Sequence, residues 1–494
     1  MPRTRTAETE SHHATNAVIV ELHPTAAGAA ETRVVAAPPA PVIAPPRVRV
    51  TRALIRSLIA VIIGSLILRL ASQTTGQMLQ FYFDRIDREY YHLSHTLTGF
   101  ITATFFIAEL FGALVFGAMS DRYGRRRFIM LGPLLGLVAV QLTSMTVALW
   151  LLVVTRLLEG LSTASSVPAT LGYISEATVG RPALRARIIG LFEITLVGGI
   201  ALGASVGGYL WKFFPRSVSF LGLEIISPAF ALNGLIYLIS LAIFAWGLKD
   251  IKRGPRAVNP VRAQGKSQHY LKVLKSRTVW MFIPAWLAIF SIIGVWINNS
   301  VRLLTGKDHF AGQSLTARMT AVEFGNGFAI LAVIFAVGIL AWSFVLGRYR
   351  RTSVMLIATG GLFVLMATVY ALNHLESFSS PLYIPLMGLL LVGVLALSGF
   401  TPAALTFLAD VTESYTQERG SIMGLYSVFL GVGQLLGATS GGYFAERQGI
   451  DGLLLLSAIF GVITLISLVA LRRMHPQEIL RASDSANVQG EVSQ

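Results

Sequence analysis

Five charged residues stand where charge is expensive: Arg69, Glu109, Arg156, Glu159 and Glu193 all fall inside apolar runs long enough to cross a bilayer. Near the bilayer centre a charge costs about 2.5–3.5 kcal/mol on insertion scales, so each needs a partner or a task. A carboxylate there can take up a proton when a neighbouring cation leaves and release it when the cation returns, which is the chemistry of a proton-coupled cycle. Arg156 and Glu159 are three residues apart and can pair on one helix face. Arg69 and Glu109 have no opposite charge within four residues of themselves. Counted from the loop between their runs, Arg69 lies 15 residues before Asp84 and Glu109 lies 13 after Thr96. At about 1.5 Å per residue both reach a similar, near-central depth on successive antiparallel helices, so a cross-helix pair is expected. Glu193 lies about two turns from Arg185, and a modest tilt would bring it to the interface. A permanent structural ion pair is the alternative for both pairs.

Uncharged polar residues extend the candidate site. Ser72 to Gln80 reads SQTTGQMLQ, placing Gln73, Gln77 and Gln80 on one helix face, a stripe expected to line a wet path. Trp296, Asn298, Asn299 and Gln434 are weaker candidates in the second half, and interfacial anchoring explains the first three as well. Asp410 and Glu413 fall at the end of the tenth run, so ion coupling is assigned to the N-terminal half.

The elements that must position these residues are membrane helices. Of 494 residues 54% are hydrophobic and only 13% charged, and the mean hydropathy is +0.64. Twelve runs of about 20 residues can each cross the hydrocarbon, the first Leu54 to Tyr82 and the last Leu453 to Leu471. The expected organisation is a disordered cytoplasmic arm at 1–50, six helices at 51–248, a basic cytoplasmic linker at 249–277, six helices at 278–475 and a cytoplasmic tail at 476–494. The linker holds nine Lys and Arg, and basic residues concentrate in the loops on the side of the termini. Both termini are therefore expected in the cytoplasm of a multi-pass plasma-membrane protein.

The net charge of +15 follows from that topology, so no nucleic-acid partner is expected; the partners are a small-molecule substrate, protons and membrane lipid. The chain is expected to act as a monomer. It contains no cysteine, and its nine histidines all fall outside the apolar runs, so no metal site and no cofactor are expected. No phosphate-binding Gly-x-x-x-x-Gly-Lys-Ser/Thr segment and no nucleophile–base constellation within the runs is visible, so the chain is not read as an enzyme.

An internal repeat sets the architecture. Residues 185–209 align without gaps to 419–443 with 12 of 25 positions identical, and the same 234-residue offset pairs Pro168 with Pro402 and Thr178 with Thr412. Two pseudosymmetric bundles of six helices follow. Within the repeat, Gly199, Gly203, Gly207 and Gly208 match Gly433, Gly437, Gly441 and Gly442, at spacings that allow close helix packing. Between the second and third runs lies GAMSDRYGRRR, Gly117 to Arg127. There Gly117 would admit a close helix approach, Asp121 would sit at a neighbouring helix N-terminus, and the arginines would hold the loop in the cytoplasm. Gly117, Asp121, Arg122, Gly124 and Arg125 are read as a conformational latch.

These segments together resemble the major facilitator superfamily over roughly residues 50–475. GAMSDRYGRRR is similar, position for position, to that superfamily's Gly-x-x-x-Asp-Arg-x-Gly-Arg-Arg-Arg loop, and SFVLGRYRR at Ser343 to Arg351 is a worn copy with Gly347 in the place of Asp121. LVVTRLLEGLSTA resembles a second signature, with Glu159 where Gln is common; the resemblance implies that Arg156 serves proton coupling or substrate binding. GIALGASVGG resembles the antiporter signature, with Ala204 replacing Pro. The expected fold is all-α, twelve transmembrane helices in two bundles that rock about a central site. The expected function is proton-coupled efflux of a small drug-like or amphipathic metabolite, with Glu109, Glu159 or Glu193 carrying the proton. The alternatives are a proton-coupled uptake symporter for an organic anion, with Arg69 and Arg156 as its counter-charges, and a non-transporting receptor of the same fold.

Overall fold

Backbone in hydrocarbon must satisfy every N–H and C=O internally, which makes an apolar run of this length a helix. The computed structural model describes residues 18–22, 32–36, 51–179, 181–220, 222–249, 277–346, 348–377, 379–411 and 419–474. The first half comprises α1 (Arg52–Glu89), α2 (His95–Tyr123), α3 (Arg125–Ser144), α4 (Leu149–Ala177), α5 (Pro182–Phe213) and α6 (Pro228–Gly247). The second comprises α7 (Arg277–Thr305), α8 (Ala321–Val345), α9 (Arg351–Asn373), the successive α10 (Tyr383–Leu397) and α11 (Phe400–Val411), and α12 (Arg419–Met474).

Among the described residues, ten stretches are long and apolar enough to cross a membrane. One of them, Val428–Arg473, is broken at Gly449, whose φ of 58° suits glycine, and so holds two arms. The 29-residue α4 carries Arg156 and Glu159 and stands beside these ten. With both arms of α12 counted, the arrangement is consistent with twelve crossings.

Local chemistry sets the helix starts. Thr51 and Ser94 cap α1 and α2 through their side-chain oxygens, and Thr320 forms a reciprocal capping box with Glu323 on α8. Pro182 and Pro228 open α5 and α6, where a missing N–H costs nothing. Gly124, at φ +100°, makes the turn from α2 to α3.

Each half has its own core. In the first, Leu58, Met78, Tyr82, Ile129, Phe230 and Phe244 are buried in one cluster. In the second, Phe282, Trp286, Val354, Phe407, Leu453 and Leu468 are buried in another. Short polar bonds pin α6 along α1: Ser57 donates to the Gly247 carbonyl at 2.9 Å, Asn233 to the Ala71 carbonyl at 2.9 Å and Ser240 to the Gly64 carbonyl at 2.8 Å. The halves meet where α2 packs on α12 and α5 on α8.

Two small hairpins complete the described chain. The arm expected to lack regular structure is a unit of its own in which β1 (Val18–Leu22) pairs antiparallel with β2 (Thr32–Ala36), Val20 opposite Val34; β-branched residues on both strands favour extended backbone. Between α5 and α6, β3 (Val218–Phe220) pairs with β4 (Leu223–Ile225). Most of the basic linker, Gly347, Glu413 and the tail lie outside the described residues, as do the side chains of Glu193 and Asp410.

Candidate functional site

The bundle has two ends, a linker end at which α1 begins and α2 turns into α3, and a far end bearing the α1–α2 and α7–α8 loops. Between them, five helices of the first half meet in one charged layer. Arg69 of α1 is the cation whose field acts on Glu109 of α2. Gly160 of α4 lies against the same turn of α2, where a Cβ would stand 2.2 Å from the Phe105 carbonyl oxygen and 3.1 Å from the Glu109 nitrogen. Gly199 of α5 closes the other side, 2.6 Å from the Arg69 Cβ by the same measure. Arg156 and Glu159 form a direct ion pair and are 5% and 2% exposed. The Arg156 guanidinium lies 4.8 Å over the Phe105 ring, a cation–π contact that shelters it further. Arg156 Nε and Glu159 Oε1 have no hydrogen-bond partner among the described residues.

Tyr237 of α6 belongs to this layer and was missed from sequence. It is 1% exposed and lies beside Ser72 and Thr75 of α1, within the field of both Glu159 and Arg156. A signal was present: Asn233, four residues earlier, puts a second polar group on the same face of an otherwise apolar helix.

In this conformation most of the glutamine stripe is packed against neighbouring helices, with Gln73 half-buried. Gln80 donates to Thr102 Oγ1 at 3.2 Å, Gln77 is 4% exposed, and the Cβ of Gln73 backs onto Gly203. Gly203 lets α5 approach α1 closely at Gln73, whereas a Cβ on Gly76, on the same face, would meet nothing within 4 Å. In the second half, Asn298 and Asn299 donate to the carbonyls four residues before them, of Gly294 and Val295, and Trp296 Nε1 donates to Ser457 at 3.0 Å. Bonds inside the bundle, not interfacial anchoring, hold these three side chains. Gln434 presents its backbone to Gly294, where a Cβ would meet it at 2.7 Å.

The repeated glycines divide their work in the same way in both halves. Gly199, Gly203 and Gly207 face α1, while Gly433, Gly437 and Gly441 face α7. The fourth of each set faces the opposite half: a Cβ on Gly208 would stand 2.4 Å from the Ala321 carbonyl oxygen of α8, and one on Gly442 2.5 Å from that of His95 of α2. One turn further in, Gly325 meets the Ala204 carbonyl oxygen at 2.4 Å and Gly99 meets that of Ala438 at 2.6 Å. Side chains cannot be added to these seams without parting the helices. Overpacking costs about 1–3 kcal/mol, borne only while the far end is shut. In Gly442→Val, a thiol placed at buried Thr98 should react with an impermeant maleimide about 5- to 150-fold faster. The cysteine-free chain gives no background, and unchanged labelling would exclude the seam from closure.

Charges bolt the far end. Asp87, at the end of α1, accepts from the Leu93 nitrogen at 2.8 Å and pairs with Arg302 of α7 at 2.9 Å and Lys307 at 2.9 Å. Arg302 is 2% exposed and also donates to the Leu93 carbonyl at 2.7 Å. His95 bonds to Asp308 at 2.9 Å, and the Thr96 nitrogen donates to Glu446 of α12 at 3.0 Å. The His95 hydrogen bond holds the Asp308 carboxyl below the usual range, assisted by Arg302 and Lys307. A depressed carboxylate stabilises the closed end at pH values above its ordinary value of about 3.9 and loses that contribution as pH falls through the lowered one. Burial holds the His95 imidazole below its ordinary value, so the closed end also loses stability as pH falls below about 6.5. The spacing between spin labels at Glu224 and Ala311, exposed residues of opposite halves, should therefore begin to lengthen below about pH 6.5 and lengthen further below about pH 4, and a spacing unchanged down to about pH 3 would exclude both groups.

At the linker end, the hub of the latch is Arg125. It pairs with Asp121, donates to Ser120 Oγ at 3.0 Å and reaches Glu176 of α4 at 3.4 Å, its guanidinium lying over Gly172. Asp121 meets this guanidinium, carried by the first residue of α3. A Cβ on Gly117 would lie 3.7 Å from Pro168, an ordinary contact, so the close approach expected there is made instead by Gly112, 2.8 Å from Leu161. Arg122 occupies the last turn of α2, where a cation suits the helix dipole.

Two helical halves, meeting along paired seams and enclosing charge in the first, form a polytopic membrane transporter rather than an enzyme. The chain belongs to the Major Facilitator Superfamily, whose family model matches residues 50–317 and 308–487. It is 25% identical over 354 residues to Multidrug resistance protein 1 of Bacillus subtilis, covering 71% of this chain and 81% of that protein. Tetracycline resistance protein, class E, of Escherichia coli is 24% identical over 402 residues, 80% of this chain and 89% of its own length. Among solved structures, a bacterial homologue of the human lysosomal transporter Spinster, inward-facing and occupied, superposes with a TM-score of 0.66 at 14% identity, over 88% of this chain and 99% of that one. That likeness establishes the fold.

Proposed function

We propose that this transporter exports a small drug-like or amphipathic molecule in exchange for protons across the plasma membrane, by alternating access. The observation that carries the reading is the single layer in which Arg69, Glu109, Arg156, Glu159 and Tyr237 converge on the interior of one half. Its carboxylates are the proton carriers, Glu109 first, because its partner Arg69 stands on another helix and can part from it when α1 and α2 move. Glu193 is kept as a third proton candidate, and Gln73 and Gln77 as residues that the path reaches once the far half opens. The basic linker end is cytoplasmic and the bolted far end external, so the conformation described is closed to the outside. The multidrug and tetracycline resistance names of the relatives favour export. The path runs between the two halves of one chain, so a monomer suffices.

A second reading, proton-coupled uptake of an organic anion, is favoured by Arg156 Nε, a buried donor without a hydrogen-bond partner among the described residues. Purified protein in liposomes, tested with a substrate panel under imposed pH gradients, separates the two. Substrate-dependent proton movement opposite to substrate supports exchange, movement in the same direction supports uptake, and none with any substrate removes proton coupling.

A further inference from the structure

The outer wall of the first half carries a groove that transport does not use. It encloses about 600 Å³ and is lined by Arg126, Arg127, Met130, Leu131 and Leu134 of α3 and Leu241 of α6. The two arginines sit at its mouth on the linker end, where the Arg126 guanidinium donates to the Ala245 carbonyl in the last turn of α6 at 3.3 Å. Trp246, the next residue, is 68% exposed, with Arg56 packed 5.2 Å over its ring. An exposed tryptophan among arginines at a helix end marks the headgroup level of the membrane. From that level the groove descends past Leu134, eight residues below Arg126, or roughly 12 Å at the helical rise. Its floor is apolar and faces lipid, as the exposed neighbours Val138 and Leu238 show.

We infer that this groove binds one anionic glycerophospholipid, its phosphodiester at Arg126 and Arg127 and an acyl chain along Met130, Leu131, Leu134 and Leu241. Charge selects the class of lipid. Among the described residues no Asp or Glu lines the groove, and Arg126 and Arg127 make its mouth cationic, which favours an anionic headgroup over a zwitterionic one. Depth selects a lipid over a soluble phosphate ester, because an acyl chain alone uses the lower wall. The inference depends on the membrane fold and not on direction, substrate or proton coupling.

Native mass spectrometry of the full chain tests it, with phosphatidylglycerol and phosphatidylcholine of identical acyl chains in competition. One phosphatidylglycerol should be retained at least about tenfold more strongly than phosphatidylcholine, and the preference should vanish in Arg126→Gln/Arg127→Gln. Leu134→Trp fills the lower groove while leaving both charges, and it should weaken retention about tenfold. Lys212→Gln, a far-end control, should leave retention unchanged. Equal retention of the two lipids, or full retention in Leu134→Trp, would overturn the site. Displacement of the lipid by glycerol 3-phosphate at equal concentration would overturn it as well, by assigning the groove to a soluble phosphate ester.

Discussion

In Asp87→Asn the far end swings open, and labels at Glu224 and Ala311 move apart. The substitution keeps the shape of the side chain and removes the charge that Arg302, Lys307 and His92 share, at 2.9, 2.9 and 3.1 Å. Arg302 is then a cation 2% exposed whose nearest remaining acid, Asp308, is 3.8 Å away. Removing one partner of such a pair costs about 3–5 kcal/mol, and the Leu93 carbonyl at 2.7 Å and Asp308 at 3.8 Å compensate the remaining charge only in part. Only the closed conformation bears that cost, since opening returns Arg302 to water. The closed-to-open ratio should fall by two to three orders of magnitude, roughly tenfold for each 1.4 kcal/mol. Asp87→Asn combined with Arg302→Met should recover much of the closed population, as both charges are then gone. An unchanged label distance in the single variant would show that the glycine seams alone hold the end shut.

Glu109→Gln should abolish gradient-driven accumulation while leaving substrate exchange intact. One proton per substrate across one pH unit is worth about 1.4 kcal/mol, enough for about a tenfold substrate gradient. Without a titrating group at the layer that gradient relaxes to equal concentrations on both sides, and only downhill movement remains. Glutamine fills the same volume, so the packing of Gly160 against α2 persists, and Arg69 loses the field it acts upon. Glu159→Gln is the comparison. Full accumulation in Glu109→Gln with loss in Glu159→Gln would transfer the proton to the Arg156 pair.

The layer was legible because helical rise turns residue counts into depth: similar counts from one loop, 15 and 13 residues, put Arg69 and Glu109 at comparable depth, and a spacing of three put Arg156 beside Glu159. The gapless repeat likewise exposed the glycines of α5 and α12. The far-end bolt was not legible. Asp87, Arg302, Asp308 and Glu446 lie at helix ends and in loops, where charge is commonplace, and their pairings join segments some 200 to 350 residues apart. Gly99 and Gly325 were missed for a related reason, since an isolated glycine in an apolar helix says nothing until its neighbour's carbonyl is known. The packing of the glutamine stripe in this conformation was not legible either, because polarity on a helix face does not distinguish a water path from a buried contact with glycine.

The seams are reciprocal: α5 lies on α8 as α12 lies on α2, with Gly208 and Gly442, and Gly325 and Gly99, in equivalent places. Patch meeting patch in exchange is the geometry of a two-fold dimer. A half-length ancestor bearing one such fifth helix and one such second helix would have closed on its own copy through both contacts at once, and every substitution in it would have counted twice. Fusion into one chain ends that constraint. Each contact can now drift separately, so the stiffness of one seam is open to selection while the other stays shut.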